Sequence, residues 1–245
     1  MLNAIENLEL GFKSVAEKSK KTHGPEIEKI RQLTLLYPCF EKAFREQRAK
    51  MAFKYNNSLV QWSYYESQRL SAHILFLTMN ALYKNAYDDI RYMIESIIQS
   101  FYLDSRHSKS TLETKLEIWG EIENGRDYHA QSLIGKLQLG EQSKQKEKLE
   151  GQYKKLSQII HFGRKQILCT IGDILSPEDQ GIPAKVNKNE IIGIYESLRS
   201  ADDMFFFLVI SSFPEIEEPL KNDAAFLDVI KKFNLPLLCN TFNVT

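Results

Sequence analysis

Cysteine is scarce in this chain: Cys39, Cys169 and Cys239 are the only three among 245 residues. An odd number without C-x-x-C spacing supports neither a disulfide framework nor a zinc knuckle, and it fits a reducing cytoplasm. An excess of charge of one sign is missing too. Lys+Arg and Asp+Glu are each 32, so no global field draws the chain to nucleic acid or to an anionic membrane. No run reaches about 18 consecutive apolar residues, and Met1-Leu-Asn-Ala-Ile-Glu-Asn-Leu-Glu9 carries acids where a secretory leader needs a basic and then an apolar segment. The expected chain is neither secreted nor membrane-spanning.

Familiar catalytic motifs are absent as well. The histidines at 23, 73, 107, 129 and 161 form no H-x-x-x-H or H-E-x-x-H pair, so no metal site is readable. There is no G-x-S-x-G, no Walker loop and no dinucleotide fingerprint, and the strands those motifs require are missing. No cofactor is implied. Repeats and low-complexity segments are lacking too.

What is present is helical periodicity, clearest in a hairpin over residues 70–104. In its second arm Ile90, Ile94, Ile97 and Phe101 recur at i, i+4, i+7, i+11, a stripe on one helix face. Arg91 and Glu95 lie four residues apart beside that stripe, in line with Ile98 and Tyr102, at ion-pair spacing. Two readings are open: an Arg fork that joins neighbouring helices, or a charged pair held for chemistry. The first arm, from Leu70 to Leu82, is apolar nearly all round, as in a helix surrounded by others. Lys84-Asn85-Ala86 is the expected turn, because Asn tolerates the left-handed backbone.

Elsewhere the pattern is helical throughout. Residues 3–20 read as an amphipathic helix containing Gly11, and Thr22-His-Gly-Pro25 breaks the chain. A helix from about Glu26 runs towards Pro38, which ends or kinks it. Residues 39–55 are helical and basic, with Lys42, Arg45, Arg48, Lys50 and Lys54 against Glu41 and Glu46. This reads as a solvated face, with a nucleic-acid contact as the other reading. Asn56-Asn57-Ser58 marks a turn or cap, and Trp62-Ser-Tyr-Tyr65 reads as core. Ser110-Thr-Leu-Glu113 has capping-box spacing for a helix to about Asn124. A short helix is expected over residues 127–139, and another follows the polar run 141–148.

That next helix carries Tyr153-Lys-Lys-Leu-Ser157-Gln-Ile-Ile-His161. His161 lies beside the stripe Leu149, Tyr153, Leu156 and Ile160, with Lys154, Ser157 and Arg164 along its flank. It is either a last-turn His meeting the helix dipole before Gly163, or a proton-transfer group near neutral pH. Residues 164–175 read as a short helix and 176–183 as a loop. Asn187 then caps a helix through Ile191, Tyr195, Leu198 and Asp202, whose buried end is Met204-Phe-Phe-Phe-Leu-Val-Ile210, stopped before Pro214. A last helix is expected over about 223–232, between Pro219 and Pro236, with an irregular tail.

The hairpin residues Asn85-Ala-Tyr87-x-Asp89-x-Arg91-x-x-x-Glu95, followed by Tyr153-x-x-Leu156-Ser157-x-x-x-His161, resemble the HEPN-like helical families over about residues 70–165. The resemblance implies an all-α, HEPN-like helical bundle built on an antiparallel helical hairpin, with additional N- and C-terminal helices. It divides the chain into N-terminal helices (1–57), a HEPN-like core (58–175) and a C-terminal helical extension packed on that core (176–245). It further implies a homodimer and, in many members, a metal-independent ribonuclease in toxin or antiviral systems, whose signature is an Arg separated from a following His by four to six intervening residues. Here His161 matches the His, while Lys154 or Lys155 stands at the Arg, a mobile point charge in place of a rigid fork.

On this resemblance His161, Arg91 and Glu95 are the candidate catalytic residues. Lys154, Lys155, Arg164, Ser157 and Tyr153 are candidate substrate contacts, with Arg91 or Arg164 supplying the missing guanidinium. RNA and a protein partner are both expected as ligand classes. The competing expectation is a non-catalytic structural or protein-interaction module, in which Arg91, Glu95 and His161 form an interhelical network.

Overall fold

Seven successive residues, Met204-Phe-Phe-Phe-Leu-Val-Ile210, are all buried. A helix can hide such a run only if it is surrounded, because 3.6 residues per turn point side chains in every direction. In the computed structural model of the protein these residues sit inside a 25-residue helix, Lys188–Ser212. The structure describes residues 2–123, 130–139, 145–160 and 186–244, and no strand occurs among them. The protein is all-helical over that span. Among the described residues no helix is long and apolar enough to cross a membrane.

In chain order the helices are α1 (Leu2–Leu33), α2 (Leu36–Gln47), α3 (Ala52–Asn56), α4 (Leu59–Met79), α5 (Tyr83–Arg106), α6 (Leu112–Glu123), α7 (Ala130–Ile134), α8 (Lys146–Ile160) and α9 (Lys188–Ser212). A 3-10 turn (Pro214–Ile216) then leads to α10 (Glu217–Lys221), α11 (Ala224–Lys232) and α12 (Pro236–Phe242). The α4–α5 hairpin packs on α9, and α1, α8 and α12 pack around α9 as well. Close approach of α5 and α9 depends on Gly193, where an added Cβ would run into the Tyr87 phenol.

Most expected elements are present, with shifted ends. The break expected at 22–25 is a kink inside α1, where His23 takes φ −135 and ψ 30. Pro25 follows in the first turn beyond it, where a missing N–H costs nothing. For the same reason Pro38 does not end a helix. The chain turns at Thr34 and Leu35, and Pro38 sits in the first turn of α2.

The hairpin turn lies earlier than expected. Asn85 is inside α5, and Ala81 is the residue with a left-handed backbone, φ 56. Asn80 instead donates its side-chain amide to the Phe76 carbonyl at 2.8 Å, closing α4. At the other end Ser58 caps α4 by accepting from the Gln61 N–H. The cap before α6 is Thr111, which receives the Thr114 N–H at 3.4 Å, one residue beyond the expected Ser110. Asn187 caps α9 as expected. The helix expected over 127–139 is seen only as α7, ending before Gly135, and residues 124–129 lie outside the described residues. The tail expected to be irregular forms α12, opened by Pro236 at its first position.

Aromatic rings join the N- and C-terminal helices. Phe40 meets Phe206 at 4.3 Å between centroids and Phe226 at 5.7 Å, while Phe44 meets Phe213 edge-on at 5.2 Å. The basic run 39–55 belongs to this junction. Lys42 pairs with Asp223 at 3.0 Å, Lys54 pairs with Glu215 at 3.5 Å, and the Arg48 guanidinium lies over the Tyr55 ring. These contacts commit three of its cations within the fold. Of the aromatic segment read as core, Tyr64 is fully buried but Trp62 and Tyr65 are exposed.

Candidate functional site

The stripe Ile90, Ile94, Ile97 and Phe101 is buried, and it fixes which way the rest of α5 faces. Arg91 and Glu95 come out along its margin. The Arg91 Nε donates to Glu95 Oε1 at 2.9 Å, with the two side chains 45% and 32% exposed. The pair closes within α5, one helical turn apart, and among the described residues the fork makes no ion pair to a neighbouring helix.

The neighbour at this margin is α8. Its Leu149 and Leu156 are buried, and Tyr153 between them is half-buried beside Arg91 and Glu95. Burial raises the Tyr153 phenol to about 12, with the Glu95 carboxylate pushing the same way and the Arg91 guanidinium opposing it. At neutral pH the phenol keeps its proton and is a hydrogen-bond donor. Ser157, four residues on, follows Tyr153 on the same flank and is also half-buried. Lys154 and Lys155 are exposed on α8. The fold thus unites Arg91, Glu95 and Tyr153 from segments about sixty residues apart, with Ser157 adjacent. His161 and Arg164 lie outside the described residues.

The position of α8 is set by a carboxylate the sequence reading assigned no role. Gln152 donates to Asp203 at 2.7 Å, and Asp203 also accepts the backbone N–H groups of Leu237 and Leu238 at the start of α12. Its neighbour Asp202 is fully buried, and both its oxygens lack a hydrogen-bond partner among the described residues. Burial, reinforced by Asp203, raises the Asp202 carboxyl well above the usual range. One signal was available: Asp202 continues the core-phase line Ile191, Tyr195 and Leu198, where a carboxylate is out of place.

A second polar centre lies at the far end of α5. Asp104 accepts from the Ser58 hydroxyl at 2.5 Å, the Leu59 and Val60 N–H groups at 3.1 and 3.0 Å, and the Lys115 ammonium at 2.8 Å. Lys115 is only 3% exposed and also donates to the Asn57 carbonyl at 2.6 Å. Beside this pair is a cavity of about 280 Å3, lined by Ser105, Ser108, Ser211 and Ser212 among others. Its chemistry is that of a helix cap, since Asp104 satisfies the N–H groups that open α4. Among the described residues no three His, Cys, Asp or Glu side chains converge as metal ligands.

Comparison with protein-family models, with curated proteins and with solved structures returns no match to this chain.

Proposed function

We propose that the chain is a HEPN-like helical protein that acts in the cytoplasm as a homodimer, in a defence or stress setting, and that the Arg91 and Tyr153 face is where it meets RNA. One observation supports this reading above others: two sequence-distant helices bring Arg91 and Tyr153 together at a surface open to solvent, with exposed Lys154 and Lys155 on the same helix as Tyr153. A half-exposed guanidinium held by one carboxylate keeps other N–H donors for a phosphate. The protonated Tyr153 phenol adds a donor that phosphate oxygens accept.

In this mechanism His161 takes the proton of an RNA 2′-hydroxyl. The 2′-oxygen bonds to the adjacent phosphorus, and the bond from phosphorus to the 5′-oxygen breaks with its electron pair on that oxygen, which takes a proton from water, leaving a 2′,3′-cyclic phosphate and a 5′-hydroxyl. Arg91 stabilises the charge that gathers on the phosphate oxygens, and Glu95 orients Arg91 through its Nε. Lys154 and Lys155 contact the backbone on either side, and Arg164 and Ser157 complete the substrate contacts.

The test is metal-free incubation of purified protein with labelled tRNA and a mixed single-stranded RNA pool, beside folded His161→Ala, Arg91→Ala and Tyr153→Phe variants. Cleavage should disappear in the first two and fall in the third. Cleavage equal to wild type in His161→Ala and Arg91→Ala sinks the mechanism. Intact RNA with folded wild type selects the other reading, a non-catalytic protein-interaction module. That reading is favoured by the fact that Glu95 already occupies the Arg91 Nε.

A further inference from the structure

Trp62, Tyr65 and Phe76 on α4 and Tyr92 on α5 are large apolar side chains left 42 to 58% exposed. Buried Ser63 meets Ser96 and Ser100 at 3.0 and 2.6 Å, and His73 meets Asp89 at 2.7 Å. These contacts set an antiparallel register that puts Tyr92 level with the helical turn around Arg69, so the four aromatics share the outer face of one hairpin. Clustered exposed Trp, Tyr and Arg are the residue types that dominate protein contacts.

The spacing on α4 carries more information than the exposure. Trp62, Tyr65, Arg69, Ala72 and Phe76 are all exposed and recur at intervals of three, four, three and four. That is the seam of a two-stranded coiled coil, about 21 Å long, facing away from α5 and α9. Arg69 and Glu66 lie at its middle, paired at 2.7 Å, with Arg69 79% exposed.

We infer that this seam is the contact surface of a two-fold dimer, formed by a second copy of α4 laid antiparallel on the first. In the register that sets Glu66 of one copy level with Arg69 of the other, each Arg69 reaches both carboxylates. Tyr65 meets the other copy's Arg69 face-on, and the bulk of Trp62 falls over the small Ala72. Trp62 meets the small Ala72 and Arg69 meets Glu66, and the relation is its own inverse, as a two-fold contact requires. Glu66, Arg69, His73 and Asp89 leave this face without a dominant sign, so it offers RNA or an anionic membrane no field. The inference rests on the homodimeric part of the reading above and uses none of its RNA chemistry.

The experiment is sedimentation velocity with light scattering on the full chain as wild type, Arg69→Glu, Glu66→Arg/Arg69→Glu and Trp62→Ala, each checked for helix content. Wild type should be a dimer. Arg69→Glu sets four carboxylates together and should weaken it at least ~10-fold, a penalty of about 1.4 kcal/mol. The charge-swapped double variant should restore most of that loss, and Trp62→Ala should weaken the dimer at least ~10-fold. A monomeric wild type overturns the inference. So does a dimer indifferent to Arg69→Glu and Trp62→Ala, or a double variant no better than the single one. A dimer that responds as described but cuts no RNA upholds this surface and overturns the nuclease. A monomer that cuts RNA does the reverse.

Discussion

Gln152 on α8 donates to the buried Asp203 carboxylate of α9 at 2.7 Å, and the same carboxylate accepts the Leu237 N–H at 3.0 Å. One side chain therefore ties the helix that carries Tyr153 to the helix that closes the C-terminal core. Asp203→Ala should lose a helix cap and leave the Gln152 amide without its acceptor. A destabilisation of about 3 kcal/mol is expected, lowering Tm by roughly 10 °C. Asp203→Asn keeps an acceptor oxygen for α12 and should lose less. Thermal unfolding of the two variants checks this, and equal losses would contradict the account.

Asp202 predicts a pH dependence of opposite sign to that of a salt-bridged carboxylate. Its folded-state pKa lies well above the unfolded value, because it is buried and stands beside Asp203. As pH rises past about 4 the unfolded chain releases a proton that the folded chain retains, so this group's contribution to stability falls with rising pH. Asp202→Asn removes that loss. It should raise Tm at pH 7.5, with a gain that shrinks towards pH 4.5. A pH-independent difference between variant and wild type would rule out the linkage.

The Asp104 and Lys115 pair should respond unequally to loss of either partner. With Lys115→Met, Asp104 still accepts the Ser58 hydroxyl and two backbone N–H groups. A cost of about 1–2 kcal/mol is expected. With Asp104→Ala, a nearly buried ammonium keeps the Asn57 carbonyl alone of its two acceptors, and α4 loses its cap. About 3–5 kcal/mol is expected there. Urea unfolding orders the two, and the reverse order would show that the cap matters less than the ion pair.

Tyr153 reports on the charged pair beside it. Glu95→Gln removes a carboxylate that raises the phenol, so the Tyr153 pKa should drop below its present value of about 12, while Arg91→Met should raise it. Ring-labelled tyrosine NMR across alkaline pH, assigned with Tyr153→Phe, follows this one group. Shifts of the wrong sign would place Tyr153 away from the pair.

Periodicity carried most of the fold. The α5 stripe, the Asn187 cap and the helical reading of 204–210 all follow from residue spacing, and the structure agrees with each. What escaped was decided by partners in space. Ala81 takes the left-handed turn although Asn85 is the better intrinsic candidate, because the buried stripes of α4 and α5 determine where the hairpin must reverse. By composition Trp62 and Tyr65 belong in a core, yet their phase on α4 turns them outward while Tyr64 turns in. At the candidate site, the Arg91 and Glu95 pair was legible from four-residue spacing, whereas the place of Tyr153 beside it was not. The Asp203 tie was not, because Gln152 and Leu237 are distant in sequence and only packing brings them together.

The burial of α9 among earlier helices sets an order of events during synthesis. The α4–α5 hairpin leaves the ribosome about a hundred residues before the end of α9, a delay of roughly 5–20 s at ordinary elongation rates. Throughout that interval the faces of α4 and α5 that close on α9 have no native cover. Truncations that remove α9 should therefore aggregate instead of yielding a smaller folded domain.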